Sequence, residues 1–359
     1  MMTNLSGVPG MHEAIEWIDP ELRAGVSALI AQTEAGQPPT RPAEEIVASA
    51  AATVTFAAKR APGETLISVY TPTEREHGWA SRRTVVDICT PDAPFLVDSV
   101  AAAIARQRLA VHLLLHPVLS VRRDDAGALL EIGAHGGELE SWIHLEIDLL
   151  PTEEARAELQ AILAKVLRDV HASVRDWPQM RRACLDIVTD LRTMPPATVD
   201  PASIAPTVEF LSWLADDNFT FLGYREHLLD TDEDGAEALR ALPHTGLGIL
   251  RGAPESLARL TPEARQTALD PRLLTVSKAN ARATVHRDVY LDYIGVRMFD
   301  EAGKVIGERR FLGMFTSAAY AASVMTLPIV GSKVRAVLET SGHPLNSHSG
   351  KDLLQVPEQ

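Results

Sequence analysis

The sequence predicts an α+β chain of several domains: a ferredoxin-like unit, a helical connector and a second domain built on an antiparallel sheet. Three observations predict it. In segment 141–149, Ile143, Leu145, Ile147 and Leu149 alternate with Trp142, His144, Glu146 and Asp148, the period of a strand with one buried face. From 83 to 177 the expected elements run strand, helix, strand, strand, helix, which is most of a βαββαβ unit. Two β-rich runs, 289–299 and 304–315, flank Asp300-Glu301-Ala302-Gly303, a hairpin signal.

The composition sets the bounds. The chain has 359 residues, 46% hydrophobic and 23% charged, enough apolar material for a buried core and for two or three domains at roughly 100–200 residues each. Its net charge of −14 repels phosphate backbones, so no nucleic-acid partner is expected. Two cysteines, Cys89 and Cys184, cannot build a disulfide framework or a four-thiolate zinc site, and a reducing cytoplasm is the simpler setting. The apolar run 109–119 contains His112, His116 and Pro117 and falls far short of the ~20 residues of a membrane span. No basic segment followed by an apolar stretch opens the chain, so neither a secretory signal nor a membrane partner is expected.

Residues 1–63 read as helical. Asp19-Pro20-Glu21 can start a helix, with Leu22, Val26, Leu29 and Ile30 at helical spacing. Gly36, Pro38, Pro39 and Pro42 mark a linker, and an Ala-rich helix covers 43–58. Both helices are too short to stand alone. Strands are expected at 66–70, 83–89, 110–121 and 129–132. Asp92 is placed to cap a helix over 93–108. A helix from 151 to about 177 carries Glu153 and Glu154 in its first turn, where they favour the dipole. The last strand of the βαββαβ unit has no candidate after it, and 66–70 is the upstream segment able to fill that place. Met180, Cys184, Ile187, Val188 and Leu191 form a helical stripe ended by Pro195-Pro196, and a further helix spans 201–216. The second sheet opens with 219–229, turns at 230–235, and returns at 273–276 and in the hairpin above. The pattern is helical again from Pro328, with Val334, Val337 and Leu338.

The chemistry-bearing motifs have plain readings. Gly246-Leu247-Gly248-Ile249-Leu250-Arg251-Gly252 resembles a phosphate-cradling loop, but a dinucleotide site needs a strand before it and a helix after it. Here Pro243 precedes and Pro254 follows, so a tight connection is expected. His144, Glu146 and Asp148 share one strand face at about 7 Å spacing, loose for one metal ion; that face is read as the solvated or interfacial side. His112 and His116 are read as sheet surface, and Cys89 and Cys184 as small buried hydrophobes. His286-Arg287-Asp288 has the letters of a kinase catalytic triplet without its Gly-rich loop or Asp-Phe-Gly.

Several segments, taken together and in order, resemble one family. They are Pro94-Phe95-Leu96-Val97-Asp98-Ser99-Val100, His116-Pro117-Val118, Ser141-Trp142-Ile143-His144, Asp216-Asp217-Asn218-Phe219-Thr220-Phe221-Leu222-Gly223-Tyr224, His286-Arg287-Asp288-Val289-Tyr290-Leu291-Asp292-Tyr293-Ile294-Gly295 and Glu308-Arg309-Arg310-Phe311-Leu312-Gly313. They resemble the N-terminal region of the very large bacterial NAD-specific glutamate dehydrogenases. The resemblance implies an ACT-like unit over 64–177, a helical connector over 178–217, a PAS-like antiparallel sheet domain over 218–322 and a truncated helical tail over 323–359. It implies a parent reaction from L-glutamate, NAD and water to 2-oxoglutarate, ammonium and NADH, with the catalytic domain downstream of these residues. No catalytic, cofactor-binding or metal residue is therefore expected here; NAD belongs to the parent enzyme.

The resulting expectation is a cytoplasmic regulatory and assembly portion of that enzyme, inactive alone. Its partners would be the catalytic region or further copies of the chain, with an amino acid as possible effector. An effector carboxylate would sit at the N-terminus of the 93–108 helix, facing Asp98 and Ser99. The alternatives are a stand-alone amino-acid-sensing ACT-domain protein and a small-molecule enzyme using the 246–252 loop.

Overall fold

The computed structural model describes residues 3–4, 7–35, 41–232, 234–322, 327–329 and 331. The chain divides into two compact units, one of Met1–His171 with Thr284–Asp288, the other of Ala172–Ala283 with Val289–Gln359. Residues 36–40 of the linker expected over 36–42 and nearly all of the expected helical tail lie outside the described residues.

In the first unit a two-residue ladder joins β1 (Thr3–Asn4) to β2 (Glu34–Ala35). Helices α1 (Met11–Glu16), α2 (Pro20–Gln32) and α3 (Ala43–Phe56) come before the main sheet in the chain. Asp19 caps α2 by accepting from the Glu21 N–H at 3.0 Å, with Pro20 in the first turn. Then follow β3 (Leu66–Tyr70), the single turn α4 (Glu74–His77), β4 (Thr84–Pro91), α5 (Leu96–Arg106), β5 (Val111–Leu115), β6 (Val118–Arg123), β7 (Leu129–Ile132), β8 (Glu138–Ile147) and α6 (Glu153–Thr193).

The sheet order is β3-β4-β8-β6-β7, with β5 also paired to β8, and every pairing is antiparallel. Strand β3 lies beside β4, from Leu66 opposite Cys89 to Tyr70 opposite Val85. That is the position the closing strand of a βαββαβ unit takes, so the upstream segment fills it.

Three local expectations change. The strand expected over 110–121 is two strands, because Pro117 has no N–H to give to the ladder. The helix expected over 93–108 starts at Leu96, and Asp92 does not cap it. The Asp92 N–H donates to Leu139 O (2.9 Å) and its carboxylate accepts from Ser141 Oγ (2.6 Å), which prolongs the β4–β8 pairing. Phe95, at φ 72°, turns the chain into the helix instead.

The third change concerns β8, which is buried on both faces rather than one. One face carries Val86, Ile88, Ile143, Leu145 and Ile147, all buried; Thr90 on that side meets His171 of α6 at 2.7 Å. The face expected to be solvated is covered by the N-terminal helices. Trp142, Cys89, Leu119 and Val121 share one apolar cluster with Met11, Val26, Leu29, Ile30, Val47 and Val54.

The second unit begins within α6. The sequence suggests a break near 177, yet the helix continues through Pro178 to Thr193. Pro178 and its neighbours Trp177 and Gln179 are exposed, so the carbonyl it leaves unpaired can be served by water. Helix α7 (Pro201–Trp213), capped by Asp200, leads through a wide turn at Leu214–Asn218 into β9 (Phe219–Thr231). There follow β10 (Glu237–Ala241), β11 (Leu247–Gly248), β12 (Ser256–Arg259), α8 (Pro262–Leu269), β13 (Leu274–Arg282), β14 (Tyr290–Phe299), β15 (Val305–Phe315) and α9 (Ser317–Ala321).

The sheet order is β12-β10-β9-β15-β14-β13, all antiparallel, with β11 on β9. Met180, Cys184, Ile187 and Val188 of α6 and Leu211 of α7 pack in one core with Phe219, Phe221, Tyr224, Ile294 and Phe311 of the sheet. Phe311 is fully buried, with ring centroids 5.7 Å from Phe221 and 4.8 Å from Tyr224. Replacing it with alanine should cost about 3–5 kcal/mol. Urea unfolding followed by circular dichroism checks this; an unchanged profile would show that the ring does not hold the second sheet to its helices.

Candidate functional site

The two residues expected to face an effector are placed at the start of α5. The Ser99 side chain is buried and its hydroxyl is engaged on both sides: it donates to Phe95 O at 2.6 Å and accepts from the His286 N–H at 2.8 Å. Asp98 is largely exposed and meets His286 Nδ1 at 3.1 Å. Phe95 and His286 both have positive φ, 72° and 67°, and their rings lie 4.8 Å apart. Segment 284–288 is further tied by Thr284 Oγ1 donating to Asp169 (2.7 Å) and by an Arg106–Asp288 ion pair (3.3 Å). The His-Arg-Asp triplet thus serves as a fastening on α5.

A more concentrated set of charges lies on the sheet face under the N-terminal helices. The spacing of β8 puts Glu140, Trp142, His144 and Glu146 on this face, and the β4 register sets Cys89 opposite Trp142 and Asp87 opposite His144. Glu140 is 1% exposed. Its Oε1 accepts from Arg60 Nη2 (2.8 Å) and Arg123 Nε (2.7 Å), and its Oε2 from Arg123 Nη2 (3.0 Å), Trp142 Nε1 (2.9 Å) and Cys89 Sγ (3.3 Å). Burial would raise the Glu140 pKa, but the hydrogen bonds from Arg123, Arg60 and Trp142 outweigh it and hold it at about 2.

The second half of the face is built on His144. Its Nδ1 lies 2.7 Å from Asp87 Oδ1, and Asp87 Oδ2 accepts from the Tyr70 hydroxyl at 2.8 Å. Glu146, fully buried, accepts from Arg41 and lies 3.5 Å from Arg83. Burial would lower the His144 pKa; Asp87 first, then Glu146, override it and raise it to about 9. Burial likewise opposes ionisation of Glu146, but the nearby His144 and the bonded Arg41 hold it at about 2. Arg41 also stacks over Trp79 at 5.5 Å.

Sequence reasoning picked out His144 and Glu146 but missed Arg41, Arg60, Asp87, Arg123 and Glu140. The one signal in reach was Asp87, a charge inside the apolar run 83–89. Asp148 does not join His144 and Glu146; it is exposed and meets the Ala110 N–H and His112. Among the described residues no group of three or more His, Cys, Asp or Glu could hold a metal ion. Both cysteine thiols are buried. Burial, then Glu140, pushes the Cys89 thiol up, and burial pushes Cys184 up to about 12, so neither is a nucleophile.

The 246–252 loop does not fit a dinucleotide. The Gly248 N–H, which would face a pyrophosphate, donates to Asp176 Oδ2 at 2.9 Å, and a Cβ on Gly248 would stand 2.0 Å from Leu222 O. Arg251 completes the bond set on Asp176, at 2.6 and 2.7 Å.

Comparison with known proteins shows what the chain resembles. The family model for the glutamate dehydrogenase ACT1 domain matches residues 26–163, which hold strands β3 to β8 and the first turns of α6, and the model for glutamate dehydrogenase helical motif 1 matches 327–359. The chain resembles part of the NAD-specific glutamate dehydrogenases. It is 37% identical over 302 residues to the NAD-specific glutamate dehydrogenase of Halomonas elongata, covering 81% of this chain and 19% of that protein. The Pseudomonas aeruginosa protein of the same name is 35% identical over 301 residues, covering 81% and 18%. That of Mycobacterium tuberculosis is 28% identical over 304 residues, covering 83% and 17%. The chain thus spans about a fifth of the length of the curated relatives it matches.

The charges of the ACT1 sheet should set the pH range of its stability. The low Glu140 and Glu146 pKa values stabilise the fold above the ordinary carboxylate range, and this is lost as pH falls from about 4.5 through 2. The raised His144 pKa stabilises it below about 6.5, and this is lost as pH rises through 9. Melting temperature should therefore be highest near pH 5–6 and fall on both sides. Glu140→Gln should cost about 3–5 kcal/mol and flatten the acid limb, measured by urea unfolding at several pH values; an acid limb identical to that of the parent would exclude Glu140 as its source.

Proposed function

We propose that this chain acts as a regulatory and assembly portion of an NAD-specific glutamate dehydrogenase, at the N-terminal side of the parent enzyme. The parent reaction would be oxidation of L-glutamate by NAD with water to 2-oxoglutarate, ammonium and NADH, performed by residues outside these 359. The observation that carries the reading is the match of the ACT1 model to strands β3 to β8 and the first turns of α6, in relatives of which this chain spans only a fifth.

The second sheet supports a PAS-like domain. Numbered from β9, its five long-paired strands run second, first, fifth, fourth, third. No described helix is long and apolar enough to cross a membrane, in keeping with a cytoplasmic role. Partners are the catalytic region of the enzyme or further copies of this chain.

The geometry favours assembly over amino-acid sensing. An effector at Asp98 and Ser99 would need a hydroxyl that Phe95 and His286 already use in both directions. Two measurements test the reading. The purified chain with glutamate and NAD should form no NADH, and calorimetry with millimolar glutamate or aspartate should show no saturable heat. NADH turnover would overturn the assignment of catalysis to other residues. A saturable amino-acid heat abolished by Ser99→Val would replace assembly by sensing.

A further inference from the structure

Between α2, α3 and the sheet of the first unit lies a cavity of about 90 Å³. Its walls are mostly apolar, Leu29, Ile46, Leu113 and Leu115 among them, with the hydroxyls of Thr33, Ser49 and Thr53, and the charged groups lining it are Arg41 and His144, both cationic donors. Asp87 and Glu146, which neutralise part of that charge, do not line it. His144 is more than nine-tenths buried. Its Nδ1 is committed to Asp87, while its Nε2 has Glu146 Oε1 at 3.8 Å, beyond hydrogen-bond reach. Glu146 Oε1 itself has no hydrogen-bond partner among the described residues. The buried cluster therefore holds a donor with no acceptor within hydrogen-bond distance, beside a largely apolar space.

Charge narrows what could fill that space. Asp87, Glu146 and Glu45, the carboxylates that pair with the cluster's cations, do not line the space, so the charged groups within reach of an occupant, Arg41 and His144, are both cationic when the histidine is protonated. Its raised pKa keeps it so at neutral pH. An amine would meet two cations and no carboxylate. A dicarboxylate such as glutamate or 2-oxoglutarate would leave its second charge against leucine and isoleucine walls, at a desolvation cost of several kcal/mol. At about 30 Å³ per water in the liquid, the volume is that of about three waters, room for one small organic molecule.

We propose that this cavity binds a short aliphatic monocarboxylate of about the size of propanoate or butanoate, its carboxylate on His144 Nε2 and Arg41 and its chain against Leu29, Ile46, Leu113 and Leu115. The site is independent of the regulatory reading above and lies on the opposite sheet face from His171 and α6.

Calorimetry on the full chain with butanoate tests it, with butylamine and glutamate as controls. Butanoate should give a saturable heat, and the controls none. Ala50→Leu, which fills the cavity from α3, and Arg41→Gln should each weaken butanoate binding by about tenfold or more while circular dichroism stays that of the parent. Butanoate should also shift the His144 ring-nitrogen resonances of the unaltered chain, a readout that needs no variant to fold. No saturable heat, equal binding of butylamine, an unmoved His144 signal, or undiminished affinity in both folded variants would each overturn the proposal.

Discussion

An ionised carboxylate leaves water at a cost of several kcal/mol unless donors replace every lost hydration contact. Glu140 meets that condition on both oxygens, through two arginines, an indole and a thiol. The donors come from far apart in the chain: Arg60 precedes β3, Cys89 lies on β4, Arg123 ends β6, and Trp142 is on β8. Arg123 also donates to Ala57 O just past α3 and to Gly127 O in the β6–β7 turn. One buried charge thus fixes the sheet register and the approach of the N-terminal helices together, since no donor can shift without stranding it.

The second cluster follows the same rule with a different balance. His144 and Arg41 are held by Asp87 and Glu146, but the bonding is incomplete: His144 Nε2 and Glu146 Oε1 stand 3.8 Å apart, too far for a hydrogen bond. A fully bonded cluster and a partly bonded one on a single sheet face differ in what they can do. The first is structural; the second has capacity left for a ligand. This contrast, rather than burial alone, separates a stabilising network from a candidate site.

The second unit uses the device once more, in smaller form. Asp176 of α6 is fully buried and accepts from Gly248 and Arg251. Glycine at 248 has φ 59° and no room for a Cβ, so the loop packs flat against β9 and its N–H reaches the carboxylate. The glycines that resemble a phosphate cradle are thereby explained by close packing.

Periodicity marked the longer strands and helices but not α4, β10 to β12 or α8, because alternation at 141–149 and helical spacing in α2, α6 and α7 are local properties of a chain seeking a buried face. It also singled out Leu66–Tyr70 as the strand able to complete the sheet. What it did not reveal is what covers each face. Trp142, His144 and Glu146 read as a wet surface because the pattern records polarity, not partners. Only the tertiary structure brings Arg41, Arg60 and Arg123, up to 105 residues away in sequence, over that face and makes burial of its charges tolerable. The same holds at the start of α5, where Asp92 is a sound local cap but long-range pairing with Leu139 and Ser141 takes it for the sheet. Local pattern settles the longer elements because backbone hydrogen bonding is local; the site was settled by charge pairing, which depends on distance in space and not on separation along the chain.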